Sequence, residues 1–212
     1  ERAWDLSAVP LLLGGEHAIT NGSIIALRRR FGPDAVGILQ FDAHMDLRDT
    51  YQGTVHSHAC VMKRAVDEKI HLFQVGVRNY SEEEILVRQK HDISFCDARD
   101  IHRMRLSGNG FAEVSLPDDF PEQLFISFDV DGFDASVMPA TGTPDPGGFM
   151  WWEAVDLLER LTEGRRIIGA DIVELAPKEG LHHCDYTAAK LAYFLMGLTA
   201  RRNRSPHDRT SS

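Results

Sequence analysis

Residues 35–46, AVGILQFDAHMD, carry an apolar run straight into two carboxylates and an imidazole. An apolar run of this length reads as a buried strand, and charge at its end needs a reason. Asp42, His44 and Asp46 stand at i, i+2 and i+4, and in extended backbone such residues project to one face. The end of a buried strand is also where open parallel sheets bind their ligands. The stretch therefore predicts a parallel sheet with chemistry at its carboxyl edge.

The rest of the chain agrees with that frame. Strands are expected at 9–15, 35–41, 71–77, 123–131 and 166–177, the last stopped by proline. Helices are expected at 18–32, 57–69, 81–91, 151–163 and 186–200, with Ser81 as an N-cap followed by acids in the first turn. Strands apolar on both faces, alternating with helices, indicate a parallel sheet covered on each side. No repeat or interdomain linker interrupts the pattern. The loop 107–119 reads as a surface connection, and the polar 201–212 as a disordered tail.

The net charge of −9 argues against a nucleic-acid binder, which needs a basic footprint, and mildly favours a cationic ligand. Three widely spaced cysteines, Cys60, Cys96 and Cys184, do not make a disulfide framework and suit buried thiols in a reducing compartment. No stretch approaches the roughly 20 apolar residues of a membrane span, and no signal segment opens the chain, so a cytoplasmic location is the default expectation.

Other strand ends repeat the chemistry of the first. His17 follows the turn in GGEHAIT, Asp129 and Asp131 end QLFISFDVD, and Glu174 follows RIIGADIV. Taken singly, His17 or an Asp-x-Asp is an ordinary turn. Converging at one sheet edge, four aspartates would repel one another and lose hydration. Two divalent cations would balance four Asp charges, with His17 and His44 as neutral donors. The oxygen-rich set favours Mn2+ over Mg2+, Co2+ or Zn2+.

The segments GGEHAIT, FDAHMDLRD, SFDVDGFDASVMPATGTPDPGG and DIVELAP resemble those of the ureohydrolases, the arginase and agmatinase family. With DYTAAKLAYFLMG, the resemblance spans about residues 8–198. It implies a three-layer α/β/α arginase-like fold with a mostly parallel sheet, in one domain over residues 1–200. It also implies two Mn2+ per chain, hydrolysis of a guanidino group to urea and an amine, and trimers or hexamers. Residue by residue, it implies metal ligation by His17, Asp42, His44, Asp46, Asp129 and Asp131, with Asp42 and Asp129 bridging. It makes His58 the proton shuttle, favoured over His56, and has Asp46 assist the nucleophile. Glu174 becomes the guanidinium partner, and Thr143 lies in the bordering segment. Glu16 and Asp134 are expected beside the ligands, and HHCD at 182–185 as a loop with Asp185 capping the last helix.

Departures from the family pattern sharpen the substrate. Ala135 stands where family members usually carry proline. Ser81 appears where arginases carry an acid that reads the substrate α-amino group, which points to agmatinase-type members. An acidic substrate, as of a guanidinobutyrase or formimidoylglutamase, would need a cation in the loop that begins at Arg48 and Asp49 or nearby, with Arg48, Arg78 and Lys63 as candidates. The resemblance further implies an N-terminal portion with sheet strands before PLLLGGEH, and a metal-binding non-catalytic relative stays open as an alternative.

Overall fold

The computed structural model describes residues 1–108 and 110–204. Among these residues the sheet has six strands: β1 (Leu11–Leu13), β2 (Val36–Phe41), β3 (His71–Val75), β4 (Ser94–Cys96), β5 (Gln123–Asp129) and β6 (Arg166–Val173). Their order is β1-β6-β5-β2-β3-β4. All pairings are parallel, so every carboxyl end opens at one edge.

Among the described residues seven α-helices accompany them: α1 (Arg2–Asp5), α2 (Thr20–Phe31), α3 (Val61–Asp67), α4 (Glu82–Lys90), α5 (Ala98–Ser107), α6 (Trp151–Leu161) and α7 (His182–Arg202). The period of two along each strand divides the core. Ile38 and Leu72 face a layer built from α2 and α3, with Ile85 and Val87 of α4 packed against it. Leu39, Phe41, Phe73 and Val75 face the opposite layer, built from α5, α6 and α7. Every residue of β2 is buried, which is why its sequence reads as a run rather than an alternation.

Most expected elements are present, with shorter strands. The Ser81 cap is a full capping box, with Glu84 accepting the Ser81 backbone N–H at 2.8 Å. Several expectations need correction. β4 and α5 lie where no element was expected: β4 is a three-residue edge strand, and α5 carries few apolar residues. α7 begins at His182 with Leu181 at the N-cap position, so HHCD is helical and Asp185 is not the cap. The expected loop 107–119 buries Val114 in the core, and Asn109 lies outside the described residues. Arg201 and Arg202 are helical, against the tail expected from 201, and residues 205–212 lie outside the described residues. Among the described residues no helix is long and apolar enough to cross a membrane. The three cysteines are buried and unbridged.

A candidate binuclear metal centre

At the carboxyl edge of the sheet the chain leaves extended backbone earlier than the residue spacing suggests. β2 ends at Phe41, and Asp46 turns back toward the site with φ +55°, a left-handed conformation uncommon outside glycine. β5 ends at Asp129, and Asp131 sits in a short 3-10 turn whose N–H bonds Asp129 Oδ1 at 2.9 Å. His17 likewise lies in a 3-10 turn, ahead of α2. The side chains converge, but by turns rather than by a shared strand face.

Two donor groups result: His17, Asp42 and Asp129, and Asp42, His44 and Asp131. His17 Nδ1 stands 3.2 Å from Asp42 Oδ2, 3.0 Å from Asp46 Oδ2 and 3.3 Å from Asp129 Oδ2. His44 Nδ1 stands 3.5 Å from Asp42 Oδ1 and 3.1 Å from Asp131 Oδ2. Asp42 thus turns one oxygen to each group, the disposition of a bridging ligand. Asp129 turns Oδ2 to the first group, while its Oδ1 accepts the Asp131 N–H.

Hydrogen-bond direction fixes one imidazole. Ser127 Oγ donates to Asp171 Oδ1 at 2.8 Å, so at 2.9 Å it accepts from His17 Nε2–H. In the neutral imidazole that leaves the His17 Nδ1 lone pair aimed at three carboxylates. Among the described residues this buried atom finds no hydrogen-bond partner. A lone pair surrounded by anionic oxygens is a place for a cation, and the donor set fits divalent metal.

Titration reflects the same crowding. Burial opposes charge on His44, but Asp131 and Asp42 push its pKa up to about 11. Burial also opposes charge on His17, and its three carboxylates raise it well above the ordinary value. Burial, with the charge of Asp42, lifts Asp46 to about 7. Asp129 is raised by burial and Asp131. Asp42, though fully buried, is held below the usual carboxylate range by the two imidazoles.

Above these groups lies a cleft of about 430 Å³. Six carboxylates line it, against one guanidinium, Arg48. Glu174 forms part of its wall with φ +66°. The tight turn at Gly15, with φ +86°, sets the segment that holds Glu174: the Glu174 N–H donates to Gly15 O at 2.9 Å, and Glu174 Oε1 accepts the His17 N–H at 2.6 Å. These two hydrogen bonds hold the left-handed backbone at Glu174 in place. Both histidines are exposed, but His58 lines the cleft and His56 does not. Thr143 lines it too, with its hydroxyl donated to Asp131 Oδ2 at 3.0 Å rather than offered freely to a ligand.

The remaining candidates separate clearly. Glu16 holds His58 through its carboxylate. Asp134 accepts from Ser136 and Gly147 and is a turn residue. Among the described residues no potential metal group includes any of 182–185. Of the three cations proposed to read an acidic substrate, Arg78 is spent on backbone carbonyls, including Asp131 O at 2.7 Å and Asp145 O at 2.8 Å. Lys63 pairs with Asp67 outside the cleft. Arg48 faces the cleft but lies 3.6 Å from buried Glu84 and over the Tyr51 ring.

Sequence reasoning missed the polar row beneath the ligands. Asp171, Ser127, Gln40 and Gln74 are register partners across β6, β5, β2 and β3. All four are buried. The available signal was a polar residue inside each otherwise apolar strand.

The family model described as the arginase family matches residues 1–197. This chain belongs to the arginase family. It is 37% identical over 194 residues to an agmatinase of Pyrococcus horikoshii, covering 92% of this chain and 64% of that protein. It is 35% identical over 193 residues to an N(1)-aminopropylagmatine ureohydrolase of Synechocystis sp., covering 91% and 61%. The crystal structure of an agmatine ureohydrolase of Thermoplasma volcanium superposes with a TM-score of 0.78 at 32% identity, covering 94% of this chain and 65% of that one. The fold is arginase-like, and the chain spans less than two thirds of the length of these arginase-family relatives.

Proposed function

We propose that this chain carries the reaction site of a binuclear metal hydrolase. Its substrate is a small guanidino compound with a cationic tail, agmatine in the first instance, released as urea and an amine. The observation that carries this reading is the pair of imidazole-carboxylate groups sharing Asp42 beneath an anionic cleft. His17, Asp42, Asp46 and Asp129 would hold one ion, and Asp42, His44 and Asp131 the other, with Mn2+ favoured by the oxygen-rich donors. The chemistry such ions supply is Lewis-acid activation of water near neutral pH.

The chain's own groups do the rest. Glu174 presents a planar carboxylate to the cleft, a match for two N–H donors of a guanidinium. Anchoring the guanidinium fixes its carbon over the ligand floor, and positioning of this kind lowers the barrier of a poor electrophile. His58, at the cleft wall, delivers a proton to the leaving amine. The excess of carboxylates favours an amine-bearing tail over an acidic one, since Arg48 is already matched by Glu84. That weakens the guanidinobutyrate and formimidoylglutamate readings. Buried unbridged thiols accord with a reducing, cytoplasmic setting.

Similarity to the N(1)-aminopropylagmatine ureohydrolase of Synechocystis sp. supports a second reading, in which the tail carries a further aminopropyl unit. Urea release by Mn2+-loaded protein from agmatine, N(1)-aminopropylagmatine, guanidinobutyrate and arginine tests both. Turnover of either of the first two above the others supports the cationic-tail reading. Absence of urea from all four, in protein that binds Mn2+, would leave a non-catalytic metal binder.

A further inference from the structure

A second polar path reaches the ligands along one face of the sheet, from α4 across β3 and β2. Arg88 of α4 is buried and forms a bidentate pair with half-buried Asp97, at 2.9 and 3.0 Å. Its guanidinium also lies over the Phe95 ring, 4.2 Å from the centroid. The third side, Nε–H, donates to Gln74 Oε1 at 2.9 Å. Gln74 Nε2 then donates to Gln40 Oε1 at 2.6 Å and to Met45 O at 2.8 Å. Gln40 Nε2 in turn donates to Asp42 Oδ2 at 2.8 Å and to His44 O at 3.1 Å.

The direction of this chain is not free. A glutamine amide can be turned end for end, but a guanidinium has no acceptor. Arg88 therefore fixes Gln74 with its oxygen outward and its nitrogen inward, and Gln74 fixes Gln40 the same way. A donor always arrives at Asp42. The reverse orientation would set the Gln40 oxygen against the buried Asp42 carboxylate, two acceptors facing each other. The His44 N–H holds the other oxygen of Asp42 at 2.7 Å. With both oxygens held, the carboxylate plane is set, and the remaining lone pairs face the two imidazoles.

We propose that Arg88, Gln74 and Gln40 are positioning residues. Together they lock Asp42 in its bridging orientation and so set how tightly this chain retains its two cations. The relay rests on the binuclear reading above, and it assigns a task to three buried polar residues that touch no substrate. It also explains the placement of a buried arginine on α4: a neutral donor at that position could turn around, and Arg88 cannot.

The test is Mn2+ affinity, read from free Mn2+ by electron paramagnetic resonance, alongside circular dichroism and melting of the metal-free protein. Gln40→Leu is expected to weaken Mn2+ binding by roughly 10- to 100-fold, the usual effect of losing a group that orients a ligand. Gln74→Leu, which touches no ligand, is expected to weaken it by about 10-fold. Because Gln74 acts through Gln40, the double variant should bind no worse than Gln40→Leu alone, a non-additivity that general loss of packing does not produce. Where Gln40→Leu does not fold, Gln74→Leu decides. Natively folded variants with wild-type Mn2+ affinity overturn the relay, as does a fully additive double variant. Wild-type protein that takes up no Mn2+ refutes the binuclear reading and the relay together, whereas wild-type uptake with unchanged variants refutes the relay alone.

Discussion

Glu16 Oε1 accepts from both the backbone N–H of His58, at 2.9 Å, and its Nδ1, at 2.5 Å. A carboxylate bonded at Nδ1 holds the proton there and leaves Nε2 as the nitrogen that can exchange a proton in the cleft. The T-shaped contact with Tyr51, 5.5 Å between centroids, restrains the ring from another side. Glu16 is therefore expected to orient His58 without touching substrate. Replacing Glu16 by Ala should lower kcat by roughly 10-fold, part of the 10²–10⁴ that a positioned proton-transfer group contributes, with KM changed much less. Glu16→Gln keeps an oxygen acceptor and should recover most of the loss. An Ala variant with unchanged kcat, or one impaired equally in KM, would show that the pair is only structural.

Metal uptake should depend on pH in a definite direction. His17, His44 and Asp46 all have raised pKa values in the metal-free fold, with His44 near 11 and Asp46 near 7. A raised folded pKa means that protonation stabilises the metal-free fold, an effect present at low pH and lost as pH rises through the folded value. Cations need the same groups deprotonated, so they compete with those protons. The increase in Tm on adding Mn2+ should accordingly be larger at pH 8 than at pH 6. Calorimetry in buffers of different ionisation enthalpy should detect net proton release on binding. Mn2+ stabilisation that is flat across this range, with no released protons, would place the ions elsewhere.

The legible part of the fold was the part with strong periodicity. β2 and β5 are apolar on both faces, so their runs are unmistakable. β4 is three residues at a sheet edge, and α5 buries only Ala98 and Ile101, so neither leaves a pattern. The ligand positions were legible because charge beside a buried strand demands an explanation, yet the assumed extended backbone was not what delivers Asp46 and Asp131. Left-handed and 3-10 turns do that, and no residue-type signal at Asp46 announces φ +55°. The supporting layer was harder still. Gln40 and Gln74 look like imperfections in apolar strands until the register sets them side by side.

The two donor groups make separable predictions about stoichiometry. Asp131 belongs only to the group with His44, and Asp129 only to the group with His17. Asp131→Ala should therefore lose about one ion per chain and keep the other, and Asp129→Ala should do the same at the opposite site. Asp42 serves both groups, so Asp42→Ala should abolish both. Elemental analysis after dialysis distinguishes these outcomes. If Asp131→Ala and Asp42→Ala retain equal metal, Asp42 does not bridge.

The floor of the site also depends on an aromatic cluster. Phe149 is fully buried, with ring centroids 5.8 Å from Phe41, 6.4 Å from Phe128 and 6.5 Å from Phe133. Its backbone pins the ligand turn: the Phe149 N–H donates to Gly132 O at 3.1 Å, and Phe149 O accepts from the Asp134 N–H at 3.0 Å. Its ring fills the space where a Cβ on Gly76 would stand, only 2.2 Å away, and the left-handed φ of +89° at Gly76 independently requires glycine. Truncating a buried phenylalanine removes its transfer free energy and leaves a cavity, at a cost of about 3–5 kcal/mol. Phe149→Ala should destabilise by that amount in urea denaturation of the metal-free protein. Because the cavity opens beneath the turn bearing Asp131, Mn2+ affinity should fall as well. A loss below about 1 kcal/mol, smaller than core phenylalanine truncations give, would mean that the ligand turn keeps its shape without the ring.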